Sequence, residues 1–457
     1  MADHLGQHAV VIGGSLAGLM TARVLADHFD AITVLERDPI ADRPALHKSI
    51  PQGNHLHALL RGGQQVMSSL YPDFTDKLCN LGAVRVRVGE ETVWYLPAGK
   101  AYTPCGALVR EPQYLGFDLT CHSRGLLEHC VRQCTLALAN VKFASGIAVQ
   151  GLLYDNGRVH GVRYDHDGRA HALAADLVVD AGGRGSQAPR WLTELGFGVP
   201  EETTIGVDLA YSSTKFRIPD SYDEPERLLV FFGLSPQLPS EGIMEEIEDK
   251  TWHVTLVGRF GEYPPTEEAG FLAFAQALYC PKLYELIKDA ERVADIMHYR
   301  FPTSVHRHYE QLTAFPERFL VLGDAICSFN PVYGQGMSVA ALQVQALQQL
   351  LTERAAEAQG LEGLALAFFP RAAEAIVTPW TLATNQDLAY PQTRGERPPT
   401  LEESAQYFAA LNALAAEDGE VHRLLAAVFH LVKPLAVLME EPLRSRVMAQ
   451  QRRQVAK

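Results

Sequence analysis

A glycine-rich turn between a buried strand and a helix constrains this chain more than any other feature. Residues 9–12 are uniformly apolar, and the run Gly13-Gly14-Ser15-Leu16-Ala17-Gly18 follows them directly. Residues 16–29 then carry apolar side chains at helical spacing, and a second apolar run, residues 31–35, ends at Glu36. Strand, glycine turn, helix and strand in this order predict a βαβ unit with parallel strands.

The turn is suited to holding the phosphates of a dinucleotide. Small side chains let the backbone approach a pyrophosphate, and the helix N-terminus offers free N–H groups with a partial positive charge. A carboxylate at the end of the second strand, here Glu36, can bind a pair of ribose hydroxyls. Arg37, the next residue, is a further cofactor-binding candidate. Because Ser15 stands where the usual G-x-G-x-x-G pattern has its second glycine, an ordinary βαβ turn is the alternative interpretation.

A second strand, turn and helix follow far downstream. Residues 318–322 have a buried-strand pattern, Gly323-Asp324-Ala325 comes next, and a helical pattern covers residues 335–358. Asp324 suits a ribityl hydroxyl, and the start of the helix suits the N1/C2 carbonyl region of a flavin, which becomes anionic on reduction. Two nucleotide-facing turns this far apart predict one extended dinucleotide. The flavin-facing candidates are Pro331, Gly334, Gln335, Gly336 and Met337.

Between the two turns the pattern changes to alternating strands. Residues 149–179 are interrupted by Asn156-Gly157 and Asp167-Gly168, which favour tight hairpin turns, so a three-stranded meander is predicted. Between residues 202 and 260, alternating runs at residues 207–218, 228–234 and 252–260 predict an antiparallel sheet. Its apolar side chains are candidates for lining a hydrophobic cavity, although alternation turns about half of them away. These side chains are Leu209, Tyr211, Phe231, Phe232, Trp252 and Val254.

Composition and charge exclude several classes of protein. The chain has 40 Lys and Arg against 54 Asp and Glu, a net charge of −14 without a long single-sign block, which argues against a nucleic-acid partner. The polar first residues lack the pattern of a secretory signal, and no stretch is long enough for a membrane span. Seven cysteines without a C-x-x-C pair predict reduced thiols and a cytoplasmic location, and no metal site is predicted.

The C-terminal part of the chain is predicted to be helical. From residue 362 onward it is rich in Ala, Leu and Glu at helical spacing, with a proline-containing loop at residues 390–399. Residues 424–439 are apolar enough for contact with a membrane surface or a partner. Because Pro434 breaks this run, packing within the protein or a dimer is favoured, and membrane contact is at most peripheral. The oligomeric state is not predicted.

These motifs together resemble the group A flavoprotein monooxygenases, FAD-dependent aromatic hydroxylases and epoxidases with the p-hydroxybenzoate hydroxylase fold. The resemblance covers nearly the whole chain and rests on residues 11–18, on Arg124 in the run Ser123-Arg124-Gly125-Leu126-Leu127-Glu128, and on residues 320–337. Three segments look more narrowly like the bacterial squalene-epoxidase-like branch, which includes polyketide and terpenoid epoxidases. They are Pro51-Gln52-Gly53-Asn54-His55-Leu56-His57, Pro264-Pro265-Thr266 and Phe329-Asn330-Pro331-Val332-Tyr333-Gly334-Gln335-Gly336.

The resemblance implies a role for each matching residue. The ADP half of FAD would lie against Gly13, Ser15, Gly18 and Glu36, with the backbone of Val149 near adenine. Arg124 would meet the pyrophosphate or ribityl region, Asp324 the ribityl chain, and Pro331 with residues 334–337 the isoalloxazine. The loop of residues 43–57 would run beside the flavin, so His55 and His57 are candidates for proton transfer, with exposed or capping histidines as the alternative. Tyr333 is a candidate acid, with simple packing as the alternative.

The implied fold is α/β, or α+β overall. It has a Rossmann-like FAD-binding domain of the glutathione-reductase type, an inserted antiparallel β-sheet substrate domain and a helical C-terminal region. The FAD-binding domain is predicted to comprise residues 1–85, 110–195 and 300–378. The substrate domain is predicted at residues 86–109 and 196–299, and the helical region at residues 379–457.

The implied activity is that of an FAD-dependent monooxygenase. Reduced FAD would react with O2 to form a flavin C4a-hydroperoxide, which inserts one oxygen atom into a hydrophobic alkene or aromatic substrate by epoxidation or hydroxylation, in secondary metabolism. A bulky polyene, polyketide, terpenoid or prenylated aromatic is favoured over a small acid, because no arginine pair is set to clamp a carboxylate.

One departure from the family concerns the electron source. Members that bind a nicotinamide directly carry Asp-Gly after a Gly-Ala step, whereas this chain reads Val179-Asp180-Ala181-Gly182-Gly183, with Gly182 at the aspartate position. We therefore expect electrons to come from a separate flavin reductase or from loosely used NAD(P)H.

Rival functions use the same fold. A flavin-dependent halogenase would show a W-x-W-x-I-P motif, and the four tryptophans are far apart in this chain. A polyprenyl reductase, a redox-neutral flavin cyclase and a non-catalytic FAD-binding protein stay open. Dependence on oxygen separates a monooxygenase from a reductase.

Overall fold

The computed structural model describes residues 4–45, 50–95, 113–233 and 236–455. Residues 46–49 of the predicted flavin loop and residues 96–109 of the predicted substrate domain lie outside this part. In sequence order the strands are β1 (Gly6–Ile12), β2 (Phe29–Glu36), β3 (Val84–Arg87), β4 (Thr92–Tyr95), β5 (Asp118–Cys121), β6 (Val141–Ser145), β7 (Ala148–Asp155), β8 (Arg158–His166), β9 (Arg169–Ala174), β10 (Leu177–Asp180), β11 (Glu202–Arg217), β12 (Leu228–Phe231), β13 (Glu241–Ile247), β14 (Thr251–Arg259), β15 (Met297–Arg307), β16 (Phe319–Val321) and β17 (Cys327–Ser328). The helices are α1 (Leu16–Leu25), α2 (Arg61–Leu70), α3 (Phe74–Asn80), α4 (Arg124–Leu136), α5 (Ala188–Glu194), α6 (Glu268–Gln276), α7 (Lys282–Ile287), α8 (Gly336–Ala356), α9 (Leu364–Leu388), α10 (Leu401–Ala415), α11 (Gly419–Phe429) and α12 (Leu443–Val455).

A five-stranded parallel sheet carries the first glycine turn. Its strand order is β16-β10-β1-β2-β6, and β1 pairs in parallel with β2 through partners such as Val10 and Thr33. Val10 and Val11 are fully buried because apolar side chains of α1, α4, α8 and α9 belong to the same core as the sheet. Burial of each such valine stabilises the fold by about 2 kcal/mol. The predicted βαβ unit is therefore confirmed.

A seven-stranded sheet forms the second layer. Its order is β17-β15-β11-β14-β13-β12-β4, and every neighbouring pair is antiparallel except β12 and β4. All nine residues of β14 are buried, so this strand lies at the centre of the layer. Helices α6 and α7 cover one face, where Phe231, Trp252 and Phe271 share a core.

The predicted meander forms a separate three-stranded sheet, β7-β8-β9. Its two hairpin turns have positive φ at both central residues, 49° and 82° at Asn156 and Gly157, and 49° and 71° at Asp167 and Gly168. These angles belong to the turn type whose twist matches antiparallel strands. The expected third strand ran to residue 179, but residues 177–180 form β10 of the parallel sheet instead.

Helices α10, α11 and α12 complete the chain around an apolar cluster of their own that includes Leu411, Leu425 and Val447. The α/β fold class, with a parallel Rossmann-like sheet, a second sheet and C-terminal helices, is confirmed.

The cysteines depart from expectation at one position. Cys280 is disulfide-bonded, so the prediction that every cysteine is a reduced thiol is wrong there. Among the described residues the free thiols are Cys79, Cys121, Cys130, Cys134 and Cys327. Within the same residues, none of the helices has the length and apolar character needed to cross a bilayer.

Candidate functional site

The first glycine turn is packed so closely that it admits no side chains at its key positions. Gly13 has φ +98°, and a Cβ added there would lie 2.6 Å from the carbonyl oxygen of Ala181. A Cβ on Gly18 would lie 1.8 Å from the carbonyl oxygen of Gly13. Ser15 is the N-cap residue of α1, but its side chain accepts no capping hydrogen bond from the helix. The first N–H groups of α1 thus remain available to a ligand.

Arg124, the first residue of α4, reaches this turn from more than 100 positions along the chain. Its Nη2 donates to Ser15 Oγ at 2.9 Å and lies 3.3 Å from Glu128 Oε2, while Ser15 Oγ donates to Glu128 at 2.8 Å. The Nε of Arg124 is buried and has no hydrogen-bond partner among the described residues. A buried guanidinium N–H without an acceptor is costly, and a phosphate oxygen is a favourable acceptor for it.

Glu36 closes the other side of the turn. Its Oε2 accepts from the Gly14 N–H at 2.7 Å, its Oε1 accepts from the Asp38 N–H at 2.8 Å, and the residue is buried. The backbone N–H of Ile147 donates to the Glu36 carbonyl at 2.9 Å, which brings Val149 on β7 near this strand end. Arg37 is exposed at the same end. These residues therefore lie at one edge of the parallel sheet.

The second turn meets the first. Gly323 has φ +75°, and a Cβ on it would lie 3.1 Å from the Cβ of Ala17. The half-buried Asp324 receives no hydrogen bond from any residue that the structure describes, and burial raises its pKa while Arg124 and Arg184 oppose the shift. Two turns that are distant in sequence thus converge on Arg124.

The loop before α8 lies beside the second turn. Residues Pro331–Tyr333 form a 3₁₀ turn that ends at Gly334, with φ +64°, and a Cβ on Gly334 would lie 3.0 Å from Ala58 Cβ. Helix α8 then begins at Gly336 without a side-chain cap, so its first N–H groups are also free for a ligand. Gln335 and Met337 at this helix start are both largely buried.

A buried charged network anchors that loop. Arg259 on β14 donates from Nη1 to Asp387 and from Nη2 to Glu241, each at 3.0 Å. Asp387 on α9 also accepts from Asn330 Nδ2 at 2.8 Å and from the Tyr333 hydroxyl at 3.0 Å. Burial raises the pKa of both carboxyl groups, while Arg259 stabilises their charged forms. The network ties the second sheet, α9 and the loop together.

His55 lies in a buried pocket of aromatic rings. Its Nδ1 is 2.6 Å from Ser213 Oγ, and its ring lies 5.6 Å from that of Tyr211 and 5.8 Å from that of Tyr299. Its Nε2 is buried without a partner in the described part of the chain. Burial, with a smaller effect of His298, lowers the pKa of His55 to about 4, so the ring is uncharged at neutral pH.

His57 lies between His55 and the cofactor turn. Its Nδ1 donates to the carbonyl oxygen of His55 at 2.8 Å. Burial first, and then the charge of Arg124, lower the pKa of His57 to about 3. The backbone of the segment is held on the second sheet, because His253 lies 3.1 Å from the Asn54 carbonyl through Nε2.

The segment after β10 explains the glycine at position 182. Asp180 is buried and accepts from the Gly182 N–H and from the Ser186 hydroxyl, each at 2.7 Å. A Cβ on Gly182 would lie 2.7 Å from Asp180 Oδ1. The Asp180 carboxylate therefore fills the space that a side chain at position 182 would need.

The predicted cavity side chains divide between two faces of the second sheet. Leu209 and Tyr211 face Val332 and Tyr333 of the loop in one apolar cluster. Phe231, Trp252 and Val254 lie in the core beneath α6 and α7. Phe232 packs edge-on against Trp94, with ring centroids 5.6 Å apart.

Sequence reasoning missed four charged residues at the site, Arg184, Glu241, Arg259 and Asp387. Arg184 had a usable signal, because it directly follows the carboxyl end of a parallel strand, where ligands bind in such sheets. Its Nη2 donates to Thr303 at 3.0 Å, and its guanidinium lies 4.6 Å from the centre of the Phe301 ring. The other three lie in strand or helix runs whose local pattern carries no sign of burial.

Solved structures share this arrangement across nearly the whole chain. The flavin-dependent brominase Bmp2 matches with a TM-score of 0.68 at 13% identity, over 98% of this chain and 100% of that chain. A flavoprotein/dehydrogenase from Cytophaga hutchinsonii matches with a TM-score of 0.68 at 14% identity, over 98% and 100%. The p-nitrophenol 4-monooxygenase PnpA from Pseudomonas putida DLL-E4 matches with a TM-score of 0.65 at 14% identity, over 95% and 100%. The fold is that of flavin-dependent monooxygenases and halogenases.

A nearer relative comes from the curated proteins. Protein Rv3254 of Mycobacterium tuberculosis (strain ATCC 25618 / H37Rv) is 34% identical over 360 residues, which cover 77% of this chain and 74% of that protein. The chain belongs to the family of protein Rv3254. No protein-family model matches it.

The residues present fit a flavin dinucleotide. The cradle at Gly13 and Gly18 excludes side chains. Within the described part of the chain, a buried N–H of Arg124 has no acceptor and the Asp324 carboxylate has no donor. These are one phosphate-binding and one hydroxyl-binding group beside two uncapped helix starts.

Proposed function

We propose that the protein is an FAD-dependent monooxygenase that inserts one oxygen atom from O2 into a hydrophobic alkene or aromatic substrate. The observation that carries the proposal is the convergence of both turns on Arg124, where neither Arg124 Nε nor the Asp324 carboxylate has a hydrogen-bond partner among the residues that the structure describes. Bound FAD, once reduced, would supply the oxygen-activating chemistry. The protein's own part is to hold the cofactor, position the substrate and exclude water.

Each proposed contact with FAD is assigned to a residue at one of the two turns or at a neighbouring strand end. Glu36 would bind the adenosine ribose, with Arg37 and the backbone of Val149 at the same strand ends. Residues 13–18 would cradle the phosphates, and Arg124 would neutralise them. Asp324 would bind the ribityl chain. The start of α8 would place its partial positive charge at the N1/C2 carbonyl edge of the flavin.

An apolar substrate is supported by the side chains that face the flavin loop. Leu209, Tyr211, Phe301 and Val332 share one buried cluster there. Arg259 does not offer a clamp for a substrate carboxylate, because Nη1 and Nη2 are already bonded to Asp387 and Glu241. A bulky alkene or aromatic compound of secondary metabolism, as in the squalene-epoxidase-like branch, is therefore proposed in preference to a small acid.

Two of the catalytic candidates are neutral imidazoles, and the third holds its proton. His55 and His57 are uncharged at neutral pH because burial lowers their pKa values to about 4 and about 3. With Nδ1 protonated toward Ser213, His55 Nε2 is a buried hydrogen-bond acceptor without a donor among the described residues. Tyr333 donates to Asp387, and burial raises its pKa, so it holds its proton. We propose His55 as the first of the three to test for a role in the reaction.

We propose that electrons come from a separate flavin reductase or from weakly bound NAD(P)H. A Cβ at position 182 would lie 2.7 Å from the carboxylate of Asp180, so the aspartate that the family uses for the nicotinamide would have to displace that carboxylate. Excess NADPH should reduce the bound flavin in a stopped-flow instrument far more slowly than turnover proceeds with a reductase. Reduction of the bound flavin by NADPH alone, at the rate of turnover, would contradict this proposal.

The proposed reaction is tested with isotopic oxygen. FAD-loaded protein, a generic flavin reductase and NADPH are incubated with ¹⁸O2 and a panel of apolar alkenes and prenylated aromatics. The expected product carries one ¹⁸O atom, and O2 consumption rises with substrate. A parallel reaction under ¹⁶O2 in H2¹⁸O controls for oxygen that enters from water.

Other outcomes point to the rival functions. Conversion of a substrate under anaerobic conditions with reduced flavin would identify a reductase or cyclase. A product that contains covalently bound bromine or chlorine would identify a halogenase. FAD binding without substrate-stimulated oxygen uptake on any compound would favour a non-catalytic flavoprotein.

A further inference from the structure

Three side chains with metal-binding groups meet where β15 ends. His306, His308 and Glu310 each have a ligand atom within 4.8 Å of those of the other two. The two imidazole rings lie 4.1 Å apart, measured between centroids. Among the residues that the structure describes, this is the one group of three His, Cys, Asp or Glu residues with such spacing.

One nitrogen in the group has no partner. His306 is 8% exposed, and its Nε2 is buried without a hydrogen bond to any described residue. The ring of Trp380 lies 5.3 Å away. A buried ring nitrogen without a partner costs free energy, and the lone pair of a neutral imidazole is the commonest protein ligand for transition metals.

His308 is already oriented by its neighbours. Its Nδ1 lies 2.7 Å from Glu310 Oε1, and its Nε2 lies 2.7 Å from Thr203 Oγ1. Because Glu310 is itself a proposed ligand, the ion would lie on the Nδ1 side of the ring and would replace the hydrogen bond between His308 and Glu310. Thr203 would still hold the other ring nitrogen, as hydrogen-bond partners commonly do for metal-binding histidines, and the ring needs no large movement.

The group lies directly behind the turn that holds Asp324. His306 is opposite Cys327 in the pairing of β15 with β17. The next residue, Arg307, donates its N–H to the Ile326 carbonyl at 2.8 Å and its Nη1 to the Ala325 carbonyl at 3.0 Å. A bound ion would join the end of β15 to the following turn at Tyr309–Gln311. It would stiffen the strand against which the Asp324 turn is built.

We propose that His306, His308 and Glu310 bind a divalent transition metal of the zinc type. Two imidazole nitrogens and one carboxylate oxygen are the ligand set that Zn²⁺, Co²⁺ and Ni²⁺ accept, with water completing the coordination. Mg²⁺ and Ca²⁺ prefer sites made only of oxygen ligands. This site is separate from the flavin chemistry and does not depend on the proposed oxygenation.

The test uses tag-free, FAD-loaded protein, first stripped with chelator. Co²⁺ is titrated while the visible difference spectrum is recorded, and Zn²⁺ affinity is measured by competition with a chromophoric chelator. One equivalent of Co²⁺ should give the spectrum of a low-coordinate nitrogen and oxygen site, and one equivalent of Zn²⁺ should displace it. Saturating Zn²⁺ should also raise the melting temperature, because it binds the folded state.

Matched variants decide whether these residues are the ligands. His306→Gln and Glu310→Gln should each weaken Zn²⁺ binding at least tenfold. His171→Gln, which changes an exposed histidine stacked on Tyr164 in the meander, should leave the affinity unchanged. Absence of stoichiometric binding by the unaltered protein, or equal affinity in all three variants, would overturn the proposal. If His306→Gln does not fold, as judged by circular dichroism, Glu310→Gln on its half-buried side chain decides alone.

Discussion

Gly18 has only a hydrogen atom where any other residue has its Cβ. A Cβ at this position would lie 1.8 Å from the carbonyl oxygen of Gly13. The contact arises because α1 starts immediately over the turn, and the turn is held in place by the hydrogen bond from the Gly13 N–H to the Leu35 carbonyl of β2 at 2.8 Å. The same closeness leaves room for a phosphate to reach the helix N–H groups. The absence of a side chain at Gly18 therefore allows both the close packing of α1 on the turn and the approach of a phosphate in the proposed cofactor site.

We expect Gly18→Ala to weaken FAD binding and to destabilise the fold by about 1–3 kcal/mol, the usual cost of overpacking a tight site. Gly198→Ala is the matched control, because a Cβ there meets only Leu312 at 4.0 Å. Urea unfolding gives the stability, and flavin fluorescence during FAD titration gives the affinity. If the two variants behave alike, the close packing at Gly18 does not govern this turn.

Arg124 should discriminate FAD from riboflavin, which lacks the phosphates. A charge-assisted hydrogen bond contributes about 1.5–3 kcal/mol, so Arg124→Met should weaken FAD binding about 10- to 150-fold and riboflavin binding much less. Titrations of apoprotein with both ligands measure the difference. Arg190→Met, which removes an exposed arginine beside Glu194, controls for loss of charge alone. Equal losses for both ligands would show that Arg124 does not meet the phosphates.

At the scale of elements, β13 is a strand that its local sequence pattern does not predict. Its sequence, Glu241–Ile247, contains three glutamates, and we predicted no strand there. Glu241 is buried against Arg259. Glu245 is buried beside Cys121, and burial raises the pKa of its carboxyl group while the hydrogen bond with Cys121 opposes the shift. The partners that allow these glutamates to be buried come from other strands. No window of sequence around residue 241 contains that information.

Helix α9 provides the charged anchor of the flavin loop, Asp387. Asp387→Ala would leave Arg259 with a single carboxylate and would remove the acceptor of Asn330 and Tyr333, so we expect a loss of about 3–5 kcal/mol in stability. We also expect weaker FAD binding and a shifted flavin spectrum, because the loop leads into the start of α8.

Asp387→Asn keeps an acceptor oxygen and should lose less stability than Asp387→Ala. Glu353→Gln, in an exposed pair with Arg371, should change neither stability nor FAD affinity and serves as the control. Thermal and urea unfolding with a parallel FAD titration measure both effects. A destabilised Asp387→Ala that keeps normal FAD affinity and spectrum would assign the network to stability alone.

At the scale of the whole molecule, His430 marks where three regions meet. It follows α11, and its ring packs edge-on against Phe117, with ring centroids 5.0 Å apart. The ring of Trp94, on β4 of the second sheet, lies 6.4 Å away. Both ring nitrogens are buried without a partner among the described residues. Burial, assisted by Arg61 of α2, lowers the pKa of His430 to about 4. The ring must therefore be neutral in the folded state near neutral pH.

His430 should make the fold less stable in mild acid. Because its folded pKa lies below the unfolded value of 6.5, its contribution is complete above pH 6.5 and is lost as pH falls toward 4. In this range the free energy of unfolding falls by about 1.4 kcal/mol per pH unit because of His430, or by about 2 kcal/mol between pH 6.5 and pH 5. His430→Phe should lose this contribution of residue 430 to the pH dependence of stability. His166→Phe, at an exposed histidine, should keep it. Parallel stability curves for His430→Phe and the unaltered protein, from urea unfolding at several pH values, would contradict the prediction.

The sequence by itself determined the fold class and the two strand, glycine-turn and helix units, and it singled out Arg124 as a candidate residue between them. Glycine turns, helix starts and strand alternation are local features, so short windows at residues 13–18 and 323–337 were enough to predict them. The tertiary structure alone decided which side chains face one another. Leu209 and Tyr211 meet the flavin loop while Trp252 lies in another core, and Asp387 is paired with Arg259 from a strand more than 100 residues away in the chain. The physical reason is that burial and charge pairing depend on contacts between residues far apart in the chain, and only the folded sheets bring those residues together.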